Sequence, residues 1–307
     1  MAAYATLSAG ITPDVYMEAL KTAGMSDAQA KAFTDSTKGY SVLSQYSDSF
    51  TGFSATLFLD NATGQKIFAV RGTNDPLDII TNTLIGTLGL SNQYASLEAY
   101  YQQLVTEGKL GANDTFSVTG HSLGGFLAQA FAVDYPTKVA QTYTYNAPGF
   151  GGAVAELLSL IGVTQSAVSV ANITNLYAQP GFSLVSGLGT VLGQAQPIFI
   201  EDQSLIENFP GNHGIVPLTD ALAAYDLFAT LDPALNTDPE RVKQITDILK
   251  ASASTESKTL ETALDSLRTL FQVNYANHSA AGNANTTLTL GILEDRERFY
   301  TNAIGLK

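Results

Sequence analysis

Apolar residues recur along this chain at two spacings, and the order in which those spacings alternate predicts an architecture. Near the amino end Met17, Leu20 and Ala23/Gly24 share one face of a helix opened by Thr12-Pro13-Asp14: a capping hydroxyl, proline at the first helical position and an acid in the first turn. Residues 53–59 and 66–71 are strand-like runs on either side of Asp60-Asn61-Ala62-Thr63-Gly64, a turn-rich segment, and so predict an antiparallel hairpin. Leu97, Tyr100/Tyr101 and Leu104 then give residues 94–105 helical spacing. Beyond them short buried runs alternate with helical ones. Strands are expected at 115–119, 139–145, 173–177 and 197–200, with helices at 126–135 and 154–161. Such alternation implies an α/β class with a mostly parallel central sheet covered on both faces.

From Pro217 the pattern turns helical. Residues 218–231 come first, then a helix capped by Asp238-Pro239 with Val242, Ile245 and Leu249 on one face, then one carrying Leu260, Leu264, Leu267 and Leu270/Phe271. Residues 274–289 are polar and read as a long connection before a last short helix near 294–300. The expected division is a main domain over 1–232 and a helical extension, cap or linker over 233–307.

Composition narrows the chemistry. At 307 residues the chain can bury a large core. It contains no Cys, which removes disulfides, thiol catalysis and cysteine metal sites. Only 14% of residues are charged, yet the formal net charge is −13, so the surface is chiefly Ser, Thr, Asn, Gln and Gly with an acidic excess; no nucleic-acid partner is expected. Nowhere do about 18 apolar residues follow one another, and Met1 to Ala9 lack a basic segment leading into an apolar run. The expectations are no transmembrane segment and no N-terminal signal peptide, hence a cytoplasmic protein or export by a signal-peptide-independent route. Neither a metal site nor an oligomeric state is indicated.

The chemistry centres on Gly120-His121-Ser122-Leu123-Gly124, with Gly125 behind it. A strand precedes this run and an alanine-rich helix follows, so one serine lies at a strand-to-helix turn, where a strained backbone exposes a nucleophile and flanking side chains would collide with neighbouring backbone. A serine hydroxyl needs a base, and the chain has three histidines. His121 diverges from Ser122 inside the turn, and His278 lies in the polar stretch with no strand to position it. His213 follows a strand in the loop Pro210-Gly211-Asn212-His213-Gly214 and precedes a helix, which suits delivery to the carboxyl edge of a sheet. The oxyanion of an acyl-transfer intermediate needs preset donors. One is the backbone N–H of Leu123; the other is expected at the strand end Val70-Arg71-Gly72-Thr73, where Thr73 offers its N–H and hydroxyl.

Arg71-Gly72-Thr73, Asp78 soon after it, Gly120-His121-Ser122-Leu123-Gly124-Gly125 and Asn146-Ala147-Pro148-Gly149 together resemble the class 3 lipases and related bacterial lipases and phospholipases of the α/β-hydrolase fold. The resemblance covers about residues 40 to 230. It implies an α/β-hydrolase fold with an N-terminal antiparallel hairpin and a C-terminal helical extension, Ser122 as nucleophile, Thr73 and Leu123 as oxyanion hole, and His213 as base. The acid departs from the family pattern. Its usual place follows the strand after Asn-Ala-Pro-Gly, but residues 172–181 contain no carboxylate. Glu201-Asp202 ends the next strand, and since strand neighbours point to opposite faces only one of the two can lean toward His213; Asp202 is the choice. Asp220, seven residues past His213, is the alternative.

Leu77, Ile79, Ile80, Leu84, Ile85, Leu88 and Leu90 follow the oxyanion turn, and residues 182–193 are apolar and glycine-rich. Within 77–90 and 182–193 these residues are either a lid or acyl pocket, or core. The chemistry expected is a serine carboxylic-ester hydrolase of the triacylglycerol lipase or esterase type, acting on lipid-like acyl esters at a lipid–water interface through an acyl-serine, with no cofactor. Phospholipase A1 or polyester hydrolysis would use the same machinery. A reading of another class is a non-catalytic binding module on a decayed hydrolase.

Overall fold

In a computed structural model of the chain, the structure describes residues 2, 5, 13–72, 87–149, 172–179, 192–200, 213–233, 240, 297, 300, 301, 303 and 304. Among them the chain order is α1 (Pro13–Thr22), α2 (Asp27–Phe33), β1 (Tyr40–Ser47), β2 (Ser54–Asp60), β3 (Lys66–Val70), α3 (Thr87–Thr106), β4 (Phe116–His121), α4 (Leu123–Asp134), β5 (Val139–Tyr145), β6 (Ile173–Gln179), β7 (Gln194–Phe199) and α5 (Ile215–Leu231). The strands form one seven-stranded sheet in sequence order, β1 to β7. β1, β2 and β3 pair antiparallel; β3, β4, β5 and β6 pair parallel, with Val70 opposite Gly120 and His121 opposite Tyr145. This is the mostly parallel α/β sheet with an antiparallel start that the alternating pattern predicts.

Two elements carry too weak a pattern to be read from the chain. β1 is an edge strand with no fully buried position, so partners on one side only leave its apolar alternation diluted. α2 is a helix of 7 residues burying only Ala30. α3 begins at Thr87 rather than at residue 94, and its Leu90 is packed in the core, so at that position the core reading displaces the lid reading. Residues 77–86 and 182–191, the predicted helix at 154–161 and the predicted helices around 242–271 lie outside the described residues. The last predicted helix has helical residues at Glu297, Tyr300, Thr301, Ala303 and Ile304, so it extends past residue 300.

The chain forms two compact units. The first comprises residues 1–23, 32–177 and 183–197, the second 24–31, 178–182 and 198–307. That division falls within β6 and β7. In the first unit Phe68 of β3 lies 5.8 Å from Tyr100 of α3 and 5.8 Å from Phe131 of α4, ring centre to ring centre, so both helices cover the same face of the sheet. Tyr101 packs edge-on to Phe131 at 5.1 Å, and Phe116 closes the cluster beside Phe68 and Tyr101. This dense aromatic layer holds β4 and α4, and therefore the turn between them.

Candidate active site

Ser122 is the single residue between β4 and α4, and its backbone is the most distorted feature of the turn. It sits at φ 57° and ψ −126°, one of two non-glycine residues with positive φ among those described. A side chain at such angles costs of order 1–3 kcal/mol, so the surroundings must hold it there. They do so through glycine. A Cβ at Gly120 would fall on the carbonyl of Gly124 and lie 2.6 Å from the nitrogen of Gly125. A Cβ at Gly124 would meet the carbonyl oxygen of Val70, and lie 2.7 Å from Arg71 C and 2.8 Å from Gly72 N. Glycine at 120 lets the helix start fold back over the strand end, and glycine at 124 lets the carboxyl end of β3 lie against the first turn of α4.

β5 forms the floor. Ser122 N–H donates to the carbonyl of Tyr145 at 2.9 Å, and Gly125 packs so closely that a Cβ there would sit 2.6 Å from Ala147 Cβ. The chain then turns at Asn146, which is buried at φ 47° and donates its N–H to the carbonyl of Leu176 at 2.9 Å. Asparagine tolerates this left-handed conformation better than most residues. Gln129, a buried amide in an otherwise apolar helix face, donates to the carbonyls of Pro148 at 3.2 Å and Gly125 at 3.4 Å. It ties the Asn-Ala-Pro-Gly segment to α4. The sequence reading missed this residue, although one polar side chain within the run Leu123–Ala132 was a visible signal.

The hydroxyl of Ser122 makes no capping bond into α4. The helix therefore begins without a side-chain cap, and its first-turn amides, with Leu123 foremost, carry the partial positive charge of a helix start. Ser122 is 1% exposed. Of the expected oxyanion strand end, Arg71 and Gly72 are described and lie against Gly124, with Arg71 N–H bonded to the carbonyl of Ser54 at 2.9 Å. Thr73 and Asp78 lie outside the described residues.

His213 and Asp220 belong to the second unit, Ser122 and Leu123 to the first. His213 is 3% exposed and stands one residue before Gly214, the N-cap of α5. Burial penalises its charged form and pushes its pKa down from 6.5 to about 4, so the imidazole is neutral across the ordinary pH range. A neutral imidazole can accept a proton. Asp220, inside α5 and fully buried, accepts a 2.5 Å hydrogen bond from the hydroxyl of Tyr300 on the last helix. Tyr300 is a second residue that sequence reasoning passed over, because a contact across 80 positions leaves no local signal. Glu201, Asp202 and His278 lie outside the described residues; His121 occupies the last position of β4. Among the described residues no cluster of His, Cys, Asp and Glu could hold a metal ion, and no helix is long and apolar enough to cross a membrane.

A strained serine between a parallel strand and a helix, seated by close-packed glycines beside the end of the neighbouring strand, has the form of the strand-to-helix turn of an α/β-hydrolase. The chain belongs to the Tle-like phospholipase domain family, whose model matches residues 7–185. It is accordingly a lipase- or phospholipase-type hydrolase of lipid esters. Among solved structures, it is similar to the Lip2 lipase from Yarrowia lipolytica at 19% identity, over 56% of this chain and 68% of that one, with a TM-score of 0.36. A lipase from Rhizopus microsporus var. chinensis matches at 18% identity over 54% and 63%, TM-score 0.33. A triacylglycerol lipase from Penicillium expansum matches at 15% over 57% and 81%, TM-score 0.34. The chain thus spans about two thirds of the Yarrowia and Rhizopus enzymes. No curated protein matches it.

Proposed function

We propose that the chain hydrolyses a carboxylic-ester bond of a phospholipid, with Ser122 as nucleophile and His213 as base. The observation that carries this reading is the backbone of Ser122 at φ 57°, held by Gly120, Gly124 and Tyr145. The family match supports a phospholipid over the triacylglycerol expected from the residues alone. His213 takes the Ser122 proton as Oγ attacks the acyl carbonyl carbon, and the Leu123 N–H, with Thr73, receives the negative charge of the carbonyl oxygen. Collapse breaks the ester C–O bond, and His213 returns the proton to the leaving lysophospholipid hydroxyl. Water, deprotonated by the same imidazole, then releases the fatty acid from the acyl-serine. Asp202, three positions beyond Phe199 in the sequence, orients the imidazole; the Tyr300 bond on Asp220 supports an anchoring role for that residue.

The test is hydrolysis of a phospholipid and of a triacylglycerol by wild type and by Ser122→Ala. Fatty acid and lysophospholipid are the expected products, and the substitution is expected to lower the rate about 10⁴- to 10⁶-fold. Release of diacylglycerol or phosphatidic acid would assign the chemistry to the phosphodiester instead. Equal rates for the two proteins would leave a binding module on a hydrolase fold.

A further inference from the structure

The turn between β1 and β2 carries the most exposed large apolar side chain among the described residues: Phe50, 92% exposed. An isolated apolar residue on a surface needs no explanation by itself. Three observations set this one apart, and the first is that the turn is built to be rigid. The Asp48 carboxylate accepts from the N–H of Phe50 at 2.9 Å, from the N–H and hydroxyl of Thr51 at 3.4 and 2.7 Å, and from the hydroxyl of Ser96 on α3 at 2.9 Å. Asp48 N–H donates to Phe53 and Gly52 N–H to Asp48 across the turn, at 2.8 and 2.9 Å. The ring is therefore presented on a fixed support at an avoidable cost in exposed apolar area.

The second observation is position. Ser54, the first residue of β2, pairs with Ser47, and Ala55 pairs with Val70, which in turn pairs with Gly120, two residues before Ser122. The β1–β2 turn thus lies at the sheet edge where β3 and β4 end and Ser122 sits. With neighbouring strands about 4.8 Å apart, the lateral offset is two to three strands, roughly 10–15 Å. The third observation is charge. Residues 47–53, Ser-Asp-Ser-Phe-Thr-Gly-Phe, hold no cation, and the whole chain carries −13. Anionic membranes recruit Lys and Arg, so such a turn suits a surface without net charge.

We infer that Phe50 is an interfacial anchor: its ring enters a zwitterionic phospholipid surface and sets the catalytic edge of the sheet against the lipid. This rests on the phospholipid reading above and adds the surface through which the enzyme meets its substrate. It also gives the buried position of Ser122 a purpose, since docking at this edge would bring lipid to a nucleophile that bulk solvent barely touches.

The chain contains no Trp, so Phe50→Trp introduces the only indole in the protein. It is made in the full chain together with Ser122→Ala, so that no hydrolysis alters the lipid, and titrated with phosphatidylcholine vesicles. The expected result is a blue-shifted emission quenched by brominated acyl chains. In co-sedimentation Phe50→Ala is expected to bind these vesicles about tenfold more weakly, and in otherwise wild-type protein to lower vesicle hydrolysis about tenfold relative to a soluble short-chain p-nitrophenyl ester. Emission that stays at the water-exposed wavelength, undiminished binding by Phe50→Ala, or wild-type protein that does not co-sediment with the vesicles would overturn the anchor. So would tighter binding to phosphatidylglycerol vesicles, or a blue shift that grows with protein concentration without lipid, which would assign the turn to contact between copies. If wild type cleaves no ester of any kind the proposed function fails, while the indole readout still decides the anchor.

Discussion

The proposed nucleophile and the proposed base lie in different units, and the described contacts differ between the two places. Around Ser122 the contacts run between Gly120, Gly124, Gly125, Tyr145 and Ala147, all within 28 positions of one another, and only the touch of Val70 to Gly72 comes from farther away. In the unit that contains His213 two described ties are long: Asp220 to Tyr300, and Ala28 N–H to the Glu297 carboxylate across 269 positions. The turn at Ser122 gets its precision from backbone shape and missing side chains. Asp220 depends instead on a buried polar group supplied with a partner, a device sensitive to pH and to single hydroxyls.

The hardest way to break this contrast is Gly120→Ala, which puts a methyl group on the Gly124 carbonyl. It should destabilise the first unit by about 3 kcal/mol or more, read as a fall in the denaturation midpoint, with Ser122 activity lost alongside. Tolerance of this substitution would show that the turn is not held by close packing.

Changing pH acts on the second unit. Because the His213 pKa is lowered to about 4 in the folded chain, the unfolded chain alone takes up the proton between about 6.5 and 4, so this group's contribution to stability is intact above that window and falls as pH drops through it. The same value places the acid limb of kcat/KM near pH 4. A limb near 6.5 would mean an exposed imidazole or another base.

Tyr300→Phe removes the hydroxyl from a buried carboxylate. The expected cost is about 1–3 kcal/mol in stability, seen as a lower Tm. A loss of kcat with unchanged Tm would instead tie Asp220 to the reaction.

The smallest effect is expected from Thr142→Val in the first unit. Its hydroxyl is buried and has no hydrogen-bond partner among the described residues, so removing it should be neutral or stabilising by up to about 1 kcal/mol in chemical denaturation. A clear destabilisation would reveal a polar contact, such as an ordered water, at that site.

Much was legible in the chain because the relevant physics is local. Strand, turn and helix periodicities predicted the antiparallel start and parallel continuation of the sheet. The spacing of Gly120, Ser122 and Gly124 predicted a strained serine, since a backbone that tight admits only those residue types. Elements whose stability is borrowed were not legible: β1, half-exposed at the sheet edge, and α2, with one buried residue. Long-range pairing was equally silent, so neither the Gln129 clamp on Pro148 nor the Tyr300 bond to Asp220 could be read from the amino acids.

By itself, then, the sequence determined that a serine would be lifted at a strand-to-helix turn, because the steric demands of that turn are written in consecutive residues. Only the tertiary structure decided that Gly124 lies against the end of β3, that the imidazole of His213 is buried and neutral, that Leu90 is core, and that a rigid turn holds Phe50 out at the sheet edge where Ser122 sits. Those depend on which surfaces meet, and burial and strand order are properties of the folded chain that no local spacing encodes.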